Sequence, residues 1–190
     1  MSSNANDERL PFIAGAVTGA AAWVVGYLVT YLIVATDIRE SPLHQAVEAF
    51  DGEAATYEMV GWVFYNAHLV DTVFRDVPLL GTHAATYIGS EQGFTPVLYA
   101  APVGLLLAAG IGLATYRGVS APTDGLLAGM TALPGYLVLT VAGVFLFEVT
   151  VGGASGAPDT IPAIILAGVI YPAVFTGTGG AIAAALADRT

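Results

Sequence analysis

Four stretches of this chain run for more than twenty residues without a charged side chain: residues 10–36, 94–116, 125–147 and 161–187. At about 1.5 Å of rise per residue, each is long enough as a helix to cross the ~30 Å hydrocarbon layer of a bilayer. The pattern predicts an all-α protein built as a four-helix transmembrane bundle. Pro102, Pro134 and Pro172 fall inside the later spans. In lipid each frees a carbonyl that a neighbouring helix must satisfy, so these prolines are expected to kink their helices and face the bundle interior.

Between the first and second spans lies a different kind of segment, residues 37–93. Ser41-Pro42 is a helix start, with Ser as N-cap and Pro in the first helical position, leading through Phe50 to a stop at Asp51-Gly52. Residues 57–76 follow, with two faces at helical period. Met59, Val60, Trp62, Val63, Ala67, Leu69, Val70, Val73 and Phe74 fall on one half-cylinder. Tyr57, Glu58, Gly61, Tyr65, His68, Asp71, Thr72 and Arg75 fall on the other. This predicts an extracytoplasmic amphipathic helix, closed at Val77-Pro78, with a loop over residues 81–93. A fifth span here would bury Glu58, His68 and Asp71, at about 2.5–3.5 kcal/mol for a central Asp. The organisation expected is a polar tail over residues 1–9 and a single membrane domain over 10–190, with residues 37–93 as an external cap.

Composition agrees with a membrane setting. Of 190 residues 56% are apolar and 23 are glycine, leaving too little polar surface to cover a soluble domain. Fifteen acidic residues face five arginines and no lysine, for a net charge of −10. Nine of the carboxylates lie between Asp37 and Glu91. So anionic a face disfavours nucleic acid and anionic headgroups as partners. Arg9, Arg117 and Arg189 lie beside span ends that share one side if there are four spans, which places both termini in the cytoplasm and residues 37–93 outside. The flanking Asp7 and Glu8 and the length of the first apolar run argue against a cleaved signal peptide. With no cysteine, neither disulfides nor thiolate metal sites are available.

Small residues recur at helix-packing intervals, as in Gly15, Gly19 and Gly26, in Gly104, Ala108 and Gly112, and in Gly125 and Gly129. Such ridges let helix backbones approach closely. A weak internal repeat lays the first span on the third and the second on the fourth, aligning Thr95-Pro96 with Ile161-Pro162.

Candidate chemistry is sparse. His44, His68 and His83 all lie in the cap, His68 three residues before Asp71 and His44 four before Glu48. Imidazoles with a carboxylate are zinc or copper ligands if the segment folds on itself, but no metal-binding spacing occurs. Hydrogen bonding of His68 inside a packed cap, with the other two solvated, is the simpler reading. Trp23, Tyr27 and Tyr31 step along one face of the first span, and Gly177-Thr-Gly-Gly180 has a filter-like look that close helix packing explains as well. No Asp, Glu, Lys, Arg or His falls inside a span, which disfavours an ion-coupled carrier. Nothing in the chain calls for a cofactor or supports an enzyme.

Gly61-Trp62-Val63-Phe64-Tyr65-Asn66-Ala67-His68, in a lysine-free acidic chain between one span and three later ones, resembles uncharacterised multi-pass membrane proteins of halophilic archaea. The resemblance implies a haloarchaeal cell membrane and brings no activity, cofactor or partner. The function expected is that of an accessory or structural subunit in contact with membrane lipid, whose acidic cap docks a protein partner or a second copy. Trp62, Tyr65, Asn66, His68, Asp71, Arg75 and Glu148 are the candidate docking residues, with Glu148 either pairing Arg39 or Arg75 or simply solvated at the interface. Alternatives are a small channel or facilitator for a neutral solute and a histidine-based metal-binding protein.

Overall fold

A computed structural model describes residues 5–51, 55–89 and 93–187. Residues 1–4 of the polar tail, Gly52 and the acidic Glu53, Glu91 and Asp188 lie outside them, as does Arg189.

The chain is mostly helical. Four helices are long and apolar enough to cross a membrane: Phe12–Glu40, Pro96–Arg117, Pro122–Leu146 and Thr160–Ala187. The first belongs to α1 (Ala5–Glu40). The second begins with a 3₁₀ turn (Pro96–Tyr99), whose preceding Thr95 side chain accepts from the Val97 amide, and continues as α4 (Ala100–Arg117). The third is two helices, α5 (Pro122–Met130) and α6 (Leu133–Leu146), joined by a tight turn at Thr131-Ala132. Pro134 is therefore the second residue of α6, where a missing N–H costs nothing, and not an interior kink. In the fourth, a short α7 (Thr160–Pro162) is followed by a π-helical stretch (Ala163–Ile170) and then α8 (Tyr171–Ala187). The wide π turns run up to Pro172, whose ring would otherwise clash with the carbonyl four residues before it.

Connecting elements supply what the apolar pattern leaves out. After α1 come α2 (Pro42–Asp51), α3 (Thr56–Asn66), β1 (Thr72–Val77) and β2 (Gly81–Ala85). Between α6 and α7 lie β3 (Val149–Val151) and β4 (Ala154–Pro158). The strands form one antiparallel sheet in the order β2-β1-β4-β3, with Phe74 of β1 opposite both His83 and Gly156. The Gly152-Gly153 turn between β3 and β4 has φ of 57° and 90°, the two positive values that a two-residue hairpin turn requires.

The sheet corrects the all-α expectation, and α3 corrects the amphipathic helix of residues 57–76. That helix stops at Asn66, ten residues early. Leu69 takes a left-handed φ of 61°, and the Val70 amide bonds back to the Tyr65 carbonyl, closing the helix end. The β-branched run beginning at Thr72 then pairs with β4, which offers a ladder that helical continuation cannot. Nor is α3 two-faced: every residue from Met59 to Asn66 is buried. The loop expected over residues 81–93 contains β2.

The chain divides into two compact units, residues 1–24, 102–139 and 168–190 in one and residues 25–101 and 140–167 in the other. In the first, helices meet backbone to backbone. A Cβ added to Gly129 or Gly110 would lie 2.0 Å from the Thr176 carbonyl oxygen. Gly125 and Gly180 face each other in the same way, and Gly135 lies against the carbonyl of Ala16. The small-residue ridge through Gly125 and Gly129 is thus used within the chain. The second unit contains α2, α3 and the whole sheet.

Candidate functional site

Within the second unit the side chains of α3 are held one by one. Gly61 leaves room for the Phe147 ring, whose Cγ would lie 2.2 Å from an added Cβ. Phe147 also stacks on Tyr27 with centroids 5.2 Å apart. One residue on, the Trp62 indole N–H donates to the Phe147 carbonyl at 2.7 Å. The Tyr65 hydroxyl donates to the Thr140 carbonyl. Asn66 works in both directions, its amide N–H donating to the Val70 carbonyl at 2.7 Å and its Oδ1 accepting from the Tyr87 amide at 2.8 Å. That clamp lays the Tyr87 ring parallel to the Trp62 indole, centroids 6.4 Å apart, while Phe74 meets the indole edge-on at 5.4 Å. Gly156 lies beneath Phe74 and Trp62, where a Cβ would come within 2.9 Å of the Phe74 ring.

Around this aromatic cluster lie two clefts. The first, of about 460 Å³, runs between the apolar face of α2 (Leu43, Val47, Phe50) and the sheet (Phe74, Val151, Gly156), with Trp62 in its wall. The second, of about 520 Å³, lies where α1 meets α2 and carries Asp37 and Ser41 beside Met59 and Phe94. Leu43, Trp62 and Tyr87 line both.

Of the docking residues expected from sequence, Trp62, Tyr65, Asn66 and His68 are buried and offer no surface to a partner; they build the cap's interior. Asp71 and Glu148 are exposed and Arg75 is half-buried. The ion pair from Glu148 to Arg39 or Arg75 is not formed; Arg39 instead donates to the Tyr31 hydroxyl at 2.8 Å and lies over that ring. Nor are the histidines gathered into a metal-binding group: no cluster of three or more potential metal ligands exists among the described residues. His44 is buried with Nε2 2.8 Å from the Thr56 hydroxyl and Nδ1 3.9 Å from Glu48. His83 is exposed and stacks on Phe74 at 5.1 Å.

His68 is wholly buried. Its Nδ1 lies 2.8 Å from the Phe64 carbonyl, an acceptor, so Nδ1 carries the proton. Burial lowers its pKa to about 4 against the smaller opposing pull of that carbonyl, and the ring is neutral near pH 7. Burial likewise pushes the Tyr65 and Tyr87 phenols up, so both stay protonated donors.

The sequence reading missed Tyr87 and the sheet side of the cleft. Two signals were present: Thr72-Val73 opens a strand-like run bounded by Pro78 and Gly81, and Val149-Thr-Val-Gly-Gly is a strand followed by a hairpin turn.

Four long apolar helices and a small antiparallel sheet are the make-up of a multi-pass membrane protein. The chain belongs to a family of unknown function (DUF7978), whose family model matches residues 1–187. No curated protein and no solved structure matches it.

Proposed function

We propose that this is a non-catalytic, four-span subunit of the cell membrane whose extracytoplasmic cap docks an extended segment of a partner polypeptide along β2. The observation that carries the reading is the state of that strand. Gly81-Thr82-His83-Ala84-Ala85 is a sheet edge with no charge and no proline, its first four residues exposed. Natural proteins ordinarily protect such an edge with lysine, proline or a covering element. Beside it, the hairpin tip exposes Leu79 completely and Leu80 to 69%. An added strand gains main-chain hydrogen bonds from the edge and apolar contact from the tip.

The sheet also supports the topology. β1 belongs to the connection after the first long helix and β4 to the connection after the third, and the two are paired. Strands in one sheet lie on one side of a bilayer, which fits a second and third helix that cross and return. Apolar side chains exposed along the long helices, such as Leu32, Val138 and Ile161, suit contact with lipid. The lysine-free, acidic composition suits a membrane bathed in high salt, where a Debye length of ~3 Å at 1 M screens the carboxylates from one another.

The test is the mass of the complex purified gently from native membranes at working salt. A stoichiometric second polypeptide is expected, and it should be lost from a Thr82→Lys/Ala84→Lys variant that keeps its own thermal stability. A mass equal to two copies of the chain would put two β2 edges together instead. A lone chain, or a complex indifferent to the lysines, would overturn the reading.

A further inference from the structure

The two clefts of the cap differ in chemistry in a way that neither the spans nor the β2 edge accounts for. The larger part of the first is hydrocarbon and ring: Leu43, Val47 and Phe50 from α2 face Phe74 and Val151 from the sheet, with the indole of Trp62 between them. The second has a polar end, made by Asp37 and Ser41 where the first long helix ends and α2 begins. Leu43, Trp62 and Tyr87 belong to both, so the two clefts meet along one shared wall. That wall is rigid: the Trp62 indole is tied to the Phe147 carbonyl, and Tyr87 is held by the Asn66 clamp. Each volume lies within the range of small-molecule sites, ~300–1,000 Å³, and an apolar chamber with a few polar groups at one end is how such sites orient a ligand.

We propose that the cap binds a single-chain amphiphile with a positively charged head, its tail in the apolar cleft against Trp62 and its head beside Asp37 and Ser41. Charge selects the head. Asp37 is exposed at the polar end, and the connection it opens holds nine carboxylates against two arginines, so an anionic head is repelled and a cationic one attracted. Position selects the source. Asp37, Ile38 and Ser41 bracket the last turn of a helix long enough to span, which puts the polar cleft at the level where a membrane amphiphile carries its head. His83 and Ala85 of β2 and Leu80 of the hairpin tip also line the apolar cleft, so the two sites adjoin; Thr82 and Ala84, the positions that test the strand edge, do not line it, and the two proposals fail separately.

Trp62 is a built-in reporter, since the chain has only two tryptophans. Trp23→Phe protein in bilayer discs of zwitterionic phospholipid is titrated with a brominated alkylammonium and, separately, with the same brominated chain carrying a sulfate head. Saturable quenching of Trp62 is expected, about two- to fivefold tighter for the ammonium, as one partly solvated charge pair gives. Asp37→Asn, an exposed change that leaves the fold alone, should erase that preference. Ala46→Phe, which fills the apolar cleft, should abolish saturation. Quenching that rises without saturating, that is equal for both heads, or that survives Ala46→Phe would overturn the proposal.

Discussion

Each unit is held together internally by its own device, and the two devices are opposite. In the helical unit glycine removes side chains so that one backbone rests on another: at Gly110, Gly129, Gly125, Gly19 and Gly135 the atoms nearest an added Cβ are main-chain carbonyl oxygens, those of Thr176, Gly180, Ala132 and Ala16. In the cap unit glycine makes room for rings: Gly61 for Phe147, Gly156 for Phe74 and Trp62. A backbone carbonyl cannot move without moving its helix, whereas a side chain, Phe147 Cγ included, can swing about its χ1 bond while the backbone stays in place. The first kind of contact is therefore the less tolerant, although both look alike as glycines in a sequence.

The largest effect expected tests that difference directly. Gly129→Ala drives a methyl into the Thr176 carbonyl and should cost at least the upper end of the ~1–3 kcal/mol usual for overpacking, while Gly61→Ala, meeting the Phe147 ring, should fall at the lower end. Thermal unfolding of both variants in the same detergent and salt reads the gap. Equal losses would break the comparison.

Next in size is a pH effect confined to the cap. His68 is a base whose folded pKa, about 4, lies below the 6.5 of an exposed imidazole. Between those values the unfolded chain binds the proton and the folded chain does not, so acid favours unfolding. Stability should be complete above pH 6.5, fall as pH drops towards 4, and lose on the order of 3 kcal/mol over that window. A pH series of melting midpoints should be shallower for His68→Gln by that amount. A slope identical to the wild type would show that His68 is not the group responsible.

The smallest effect concerns the end of α3. Leu69 is exposed and holds a left-handed backbone at φ 61°, a conformation that costs a non-glycine residue roughly 1–2 kcal/mol. Leu69→Gly relieves it at some expense in chain entropy, for a net gain of about 0.5 kcal/mol in melting experiments. A loss instead would mean that the leucine side chain supports the cap from its exposed position.

How much of this was legible beforehand follows from range. Hydrophobic run length is a local property, and the four long helices stand within a few residues of where it puts them; so does the start of α2 at Ser41-Pro42. Residues 57–76 were misread because an apolar and polar pattern of that length fits a helical period whether or not a helix forms, and the competing offer came from β4, some eighty residues away. Likewise, Tyr65 and Asn66 are polar by type and were expected to meet a partner, yet each finds a backbone acceptor, in the Thr140 and Val70 carbonyls, that makes burial possible; His68, expected to hydrogen-bond inside a packed cap, lies against the Phe64 carbonyl.

By itself the sequence determined the apolar helices, the net acidity and the absence of cysteine chemistry, because length, charge and composition need no partner to take effect. Only the tertiary structure decided that a sheet ties two distant connections together and that Trp62 and Tyr87 wall a pair of clefts. It also separated the glycines that rest on backbone from those that rest on rings. Strand pairing and burial depend on which segment arrives opposite, and nothing local to either segment encodes that.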